Sequence, residues 1–181
     1  MYDLIEHKEI YKGDRISLYK DSYTTPDGHI AAKEIVEHGG SAAMLAIDDE
    51  GKILFVKQYR RSARRETLEL PAGTVERGEQ PISCAAREIE EETGCTASSI
   101  KPMLQMYSAI GFCTEIIYIF LCEGLTVTAQ QLDDDEFINV ERYSLDEAVE
   151  LIMKGEICDG KTISAIFFYK NLTDMVRLRP F

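Results

Sequence analysis

The residues able to do chemistry are concentrated between Gly73 and Cys95. A loop, Gly73-Thr-Val-Glu-Arg-Gly-Glu79, is followed seven residues later by Arg87-Glu88-Ile89-Glu90-Glu91-Glu92-Thr93-Gly94-Cys95. On a helix, Glu88, Glu91 and Glu92 stand at i, i+3 and i+4 and share one face. Ile82, Ala85, Ala86, Ile89 and Thr93 fall on another face, suited to packing on a core. Like charges four residues apart destabilise an isolated helix. Such a cluster calls for a counter-charge, and a hard divalent cation with oxygen ligands meets that need. Pro81 is a good first-turn residue and Gly94 a good C-terminal stop, which bounds the helix. Arg87, beside the acids, is expected to hold one carboxylate in place, and Glu79 reads as an anion near the helix N-terminus.

Taken whole, the stretch resembles the Nudix box, G-x5-E-x7-R-E-U-x-E-E-x-G-U, where U is bulky and aliphatic. Gly73, Glu79, Arg87, Glu88, Glu91, Glu92 and Gly94 match with correct spacing; Ile89 fills the first U and Cys95 is a soft match at the last. The resemblance implies an α+β fold (an α/β/α sandwich) with a mixed central sheet. It also implies a hydrolase acting on a nucleoside diphosphate linked to another group, with two or three Mg²⁺ or Mn²⁺ ions per active site. Glu88, Glu91 and Glu92 are then the metal ligands and catalytic acids. The irregular Pro71-Ala72-Gly73 backbone can turn the Ala72 carbonyl to the same metal.

Leu70-Pro71-Ala72-Gly73 looks like the ADP-ribose branch of that family, which implies AMP and ribose 5-phosphate as products. Arg60, in Gln58-Tyr59-Arg60, sits where that branch places a substrate arginine, and a guanidinium can grip phosphate with two parallel hydrogen bonds. Glu69 is a candidate for substrate contact, with a structural salt bridge as the competing role. Gly111 and Glu115 match the branch's Pro-Gly-x-x-x-Glu loop, whereas Ile110 stands in the proline's place. The acidic run Leu132 to Phe137 corresponds to a loop that reaches the family's active site. Glu136 is the first choice there for general base or extra metal ligand, and Asp134 the second. The competing readings are hydrolysis of another nucleotide sugar or a dinucleotide, GDP-mannose for example, and a non-catalytic nucleotide sensor.

A chain of 181 residues with 45% hydrophobic content suits one domain with an appendage. A net charge of −12 argues against coating DNA or RNA. It also requires a polyanionic substrate to be attracted locally, and Arg60, Arg61, Arg64 and Arg65 form the densest basic run. Five cysteines with no C-x-x-C pair read as reduced thiols. The charged N-terminus is no signal peptide, and the longest apolar run, Ile116 to Cys122, is too short to span a bilayer. A soluble, cytoplasmic protein without membrane or nucleic-acid partners is the expectation.

Around the box the pattern predicts strands and two more helices. Arg15 to Tyr23 and Ile30 to Val36 flank the turn signal Thr25-Pro26-Asp27-Gly28, a hairpin. A lone hairpin is marginal in water. The family resemblance implies a dimer-building role for it, so residues 1–40 are expected to be an N-terminal β extension serving a homodimer, and residues 41–181 the hydrolase domain. Strands are predicted at Ser41 to Ile47, Ile53 to Tyr59, Ile100 to Tyr107, Ile116 to Cys122 and Ile138 to Tyr143. Ser144 and Glu147 form a capping-box signature for a helix to about Lys154. Asp159-Gly160-Lys161 opens a last helix with Ile163, Ile166, Phe167 and Met175 near one stripe.

Overall fold

The computed structural model describes residues 1–132 and 136–177. The chain runs β1 (Asp3–Lys12), β2 (Ile16–Thr24), β3 (Ile30–His38), β4 (Ser41–Ala46), β5 (Ile53–Arg60), β6 (Arg65–Glu69) and β7 (Ala72–Thr74). Then follow α1 (Pro81–Thr93), β8 (Cys95–Tyr107), β9 (Ile116–Val127), β10 (Asn139–Tyr143), α2 (Leu145–Met153) and α3 (Gly160–Arg177). The uninterrupted apolar run of β4 makes it a strand buried on both faces. Ala43 and Leu45 pack into one core with Ile117, Ile119, Ala148, Ile157, Ala165 and Ile166. Ala42, Met44 and Ala46 pack into a second core with Cys84, Ala85, Ile89 and Phe120. The sheet β7-β4-β9-β8 is mixed, with β4 parallel to β9, and the antiparallel sheet β10-β5-β6 lies alongside. One layer is therefore α1 and the other α2 with α3, the expected sandwich.

The N-terminal hairpin is present as β2 and β3, and a third strand, β1, joins it in an antiparallel sheet. Strand β1 is not among the predicted elements: charges break its alternation, and no residue of β1 is buried. The sheet meets the rest of the molecule where Val36 N–H donates to the Phe112 carbonyl and Thr114 N–H to that of Val36.

Helix α1 begins at Pro81 and ends on Gly94, whose φ of 64° is the left-handed conformation a glycine cap supplies. Its buried side is Cys84, Ala85, Ile89, Glu92 and Thr93. Ile82 and Ala86, expected in the core, are exposed, and Cys84 takes their place. The helix is rolled so that Glu88 and Glu92 turn toward β7, which moves the apolar stripe with them. Strand β8 starts at Cys95, directly after the cap, five residues earlier than expected. The capping box at Ser144 and Glu147 is formed. Asp159 caps α3 by accepting from the Thr162 N–H and hydroxyl. Ile166 is buried on α3 as expected, whereas Met175 is exposed.

Candidate active site

The box loop and α1 are laced together by donors from both sides. Ala72 N–H donates to Glu92 Oε2 at 2.8 Å. Arg87 ties three carboxylates at once: Glu79 at 3.2 Å, Glu88 at 2.7 Å and Glu91 at 2.9 Å. The single-carboxylate role expected for Arg87 is thus too small, and Glu79 is a partner of that guanidinium as well as an acceptor for Glu76 N–H. A side chain on Gly73 would overlap the Glu88 carboxylate, so glycine here is a requirement of close approach. Burial holds the Cys84 thiol protonated, its pKa pushed up to about 12, and it lies against the Gly73 and Thr74 carbonyls.

Glu92 is 5% exposed. Burial pushes its carboxyl up to about 8; Glu88 and Glu136 add to this, against the Ala72 N–H and Arg60. Glu88 is raised as well, by burial first and then by Glu91 and Glu136, with Arg87 opposing. At both carboxyls burial is the first cause and neighbouring acids add to it.

These groups open into a cavity of about 840 Å³ that also takes in Glu136, Arg60, Glu69, Glu115 and Ala72. Glu136 lines the cavity, and residues 128–131 are pinned to the end of α1. Thr128 N–H donates to the Gly94 carbonyl, Gln130 Nε2 to that of Glu92, and Gln131 N–H to that of Glu91. Asp134 lies outside the described residues.

On another side of the cavity Arg60 forks onto Glu69 with two 2.9 Å hydrogen bonds. Lys161 Nζ reaches Glu69 at 2.6 Å and Asp159 at 2.9 Å, and Thr67 Oγ1 donates to Glu69 at 2.6 Å. Burial would raise the Glu69 carboxyl, but the Arg60 hydrogen bonds, then Lys161 and Thr67, overcome it and hold it at about 2. The structural ion pair expected of Glu69 is present, and it lies on the cavity wall. Thr162, fully buried, accepts from Leu70 N–H, so the start of α3 is fastened to the strand that leads into the box.

The loop 108–115 divides the expectations made for it. Ser108 and Glu115 line the cavity, with Glu115 accepting from Ser41 Oγ at 2.5 Å and lying 3.5 Å from His38 Nδ1. Gly111 is not among the lining residues, and Ile110 is 78% exposed. The loop swings those two outward because its backbone is bound to β3. Lys161, His38, Arg15 and Gln58 line the cavity without having been singled out. Gln58 Nε2 is a buried atom with no hydrogen-bond partner among the described residues. Only the Gln-Tyr-Arg segment hinted at it.

The NUDIX domain model matches residues 37–165. The chain belongs to the Nudix family. An ADP-ribose pyrophosphatase of Bacillus subtilis (strain 168) is 42% identical over 164 residues, covering 90% of this chain and 89% of that one. A methanol dehydrogenase activator of Bacillus methanolicus is 37% identical, with coverage of 90% and 89%. The solved structure described as an ADP compounds hydrolase superposes with a TM-score of 0.85 over 96% of this chain and 94% of that one, at 16% identity, a likeness of fold. The Nudix box of this chain is thus the β7 loop and α1, and its acids Glu88, Glu91 and Glu92 line the cavity.

Proposed function

We propose that this Nudix hydrolase cleaves the diphosphate of ADP-ribose to AMP and ribose 5-phosphate, using a divalent cation. The observation that carries the reading is the convergence of Glu88, Glu91, Glu92 and Glu136 on one cavity, with two of the carboxyls raised by burial and then by their acidic neighbours. The 42% identity to an ADP-ribose pyrophosphatase supports the substrate.

The donor set fits Mg²⁺ or Mn²⁺. Every candidate ligand is a hard oxygen, and a raised buried carboxyl is the state that a nearby cation reverses. Among the described residues no three acidic, His or Cys side chains already form a cage. Glu88, Glu91, Glu92, Glu136 and the Ala72 carbonyl are the groups that would hold the cation. When bound, it supplies charge neutralisation and Lewis acidity at the diphosphate. Glu136 takes the proton of the attacking water, with Asp134 the other candidate. Arg87 offsets the repulsion between Glu88 and Glu91 and fixes their positions, and the Ala72 N–H orients Glu92. Arg60, held flat by Glu69, presents its remaining N–H groups to the substrate, and Glu115 accepts from a ribose hydroxyl.

The division into residues 1–40 and 41–181 is part of the same proposal, with the N-terminal sheet as the homodimer element. Exposed Leu4, Ile5, Ile10, Tyr11 and Ile30 on an otherwise marginal three-stranded sheet favour it. Light scattering should give twice the chain mass, and truncation before Gly39 should abolish the dimer. No described helix is long and apolar enough to cross a membrane.

The deciding experiment is incubation with a panel of nucleoside diphosphate compounds and Mg²⁺, with chromatographic detection of nucleoside monophosphate. ADP-ribose should be the best substrate, and a chelator should stop its turnover. A better rate on GDP-mannose or a dinucleotide would reassign the substrate. Binding without turnover of any compound would favour a sensor.

A further inference from the structure

Three of the four cations that line the cavity are already committed to carboxylates. Arg60 is forked onto Glu69, Lys161 joins Glu69 and Asp159, and Arg87 binds Glu79, Glu88 and Glu91. The fourth, Arg15, makes no ion pair and no side-chain hydrogen bond among the described residues, and it is exposed at the cavity edge. Acidic side chains outnumber cationic ones in the lining by eight to four. A diphosphate that enters meets a wall of its own sign, and a divalent ion at the box offsets only the charge close to it. An uncommitted guanidinium is the group best able to bind the remaining phosphate oxygens.

The position of Arg15 is built by the fold. Gly13 N–H donates to the Ile16 carbonyl at 2.9 Å and closes the turn between β1 and β2. A Cβ on Gly13 would lie 2.9 Å from the Tyr11 hydroxyl, so the turn is tight as well as hydrogen-bonded. Ile16 pairs with His38, the last residue of β3. His38 Nδ1 in turn accepts from Gly40 N–H, at the entrance to β4. Register therefore puts Arg15 beside His38 at the junction of the N-terminal sheet and the hydrolase core. The two residues also line a second hollow of about 380 Å³, together with Lys12 and Thr114. This second hollow thus shares Arg15 and His38 with the main cavity, at the end of the N-terminal sheet.

We propose that Arg15 is a substrate-binding residue that takes a phosphate oxygen of a nucleoside diphosphate, which makes the β1–β2 turn part of the recognition site. This rests on the reading of the cavity as a diphosphate hydrolase site. The competing role is that of a solvated turn arginine.

The test is steady-state kinetics of R15A and R15K on ADP-ribose with saturating Mg²⁺, at low and high salt, together with melting temperatures. R15A should raise KM about 10- to 100-fold, the range of a charged hydrogen bond, with the loss carried by KM rather than kcat. R15K should recover part of it, the salt dependence of kcat/KM should weaken in R15A, and the melting temperature should hold because Arg15 is exposed. An unchanged KM and salt dependence in R15A, beside a turning-over wild type, overturns the role of Arg15 and leaves the hydrolase reading standing. If the wild type turns nothing over, the hydrolase reading fails by itself, and calorimetry with ADP still decides on Arg15. Weaker ADP binding by R15A supports the role; equal binding, or none by either protein, overturns it.

Discussion

Glu92 and Glu69 line the same cavity and are almost equally buried, 5% and 4% exposed. Their carboxyls nonetheless stand at about 8 and about 2. Burial pushes both upward, so burial does not account for the difference. Glu69 has a forked guanidinium, an ammonium and a hydroxyl on its oxygens. Glu92 has one backbone N–H and two carboxylate neighbours. The fold completes one acid with its own cations and gives the other none in direct contact. Desolvation sets the stakes of a buried charge, and the partner supplied decides its state.

The largest effect that tests this contrast is on catalysis. E92Q should lose orders of magnitude in kcat at saturating Mg²⁺ while the metal-free protein keeps or gains melting temperature, because the cost of keeping a buried carboxyl protonated at neutral pH has gone. Near-normal turnover of E92Q would remove Glu92 from the chemistry. E69Q should behave in the opposite way. It strands Arg60 and Lys161, so chemical denaturation should show a loss of about 2–4 kcal/mol, and KM should rise more than kcat falls.

The pH dependence of stability separates the two acids further. Glu69, depressed to about 2, contributes stability that is fully present above its ordinary value near 4.5 and is lost as pH falls from there to about 2. Glu92 is an acid with a raised pKa, so the folded state holds its proton longer than the unfolded chain. Metal-free protein should lose stability as pH rises from about 4.5 to about 8. Denaturant midpoints across pH check both slopes; E69Q should flatten the acid one and E92Q the alkaline one. The smallest effect is that of T67V, which removes one of the hydrogen bonds on Glu69 and should cost about 1 kcal/mol.

Sequence showed one of these acids far better than the other. The Glu92 site is local: Gly73, Glu88, Glu91 and Glu92 lie within a loop and a helix whose ends, Pro81 and Gly94, are written in residue types that allow little else. The capping box at Ser144 and Glu147 was legible for the same reason. The Glu69 site is assembled from β5, β6 and the start of α3, and Lys161 is 92 residues from its partner. No periodicity or spacing carries such a contact. Arg15 and His38 arrive through strand register, which single-sequence patterns fix only where one face is buried, and β1 has no buried residue. The roll of α1 that exposes Ile82 and Ala86 was hidden because the periodicity of apolar residues says nothing of where the acids must point.

The most direct measurement is the carboxyl pKa of Glu92, read by carbon-detected NMR of glutamate-labelled protein with E92Q as the assignment control. It should lie near 8 without metal and fall below the ordinary carboxylate range when Mg²⁺ is added, while Glu69 stays low in both. An ordinary pKa for Glu92 in the metal-free protein, or no response to Mg²⁺, would contradict the account.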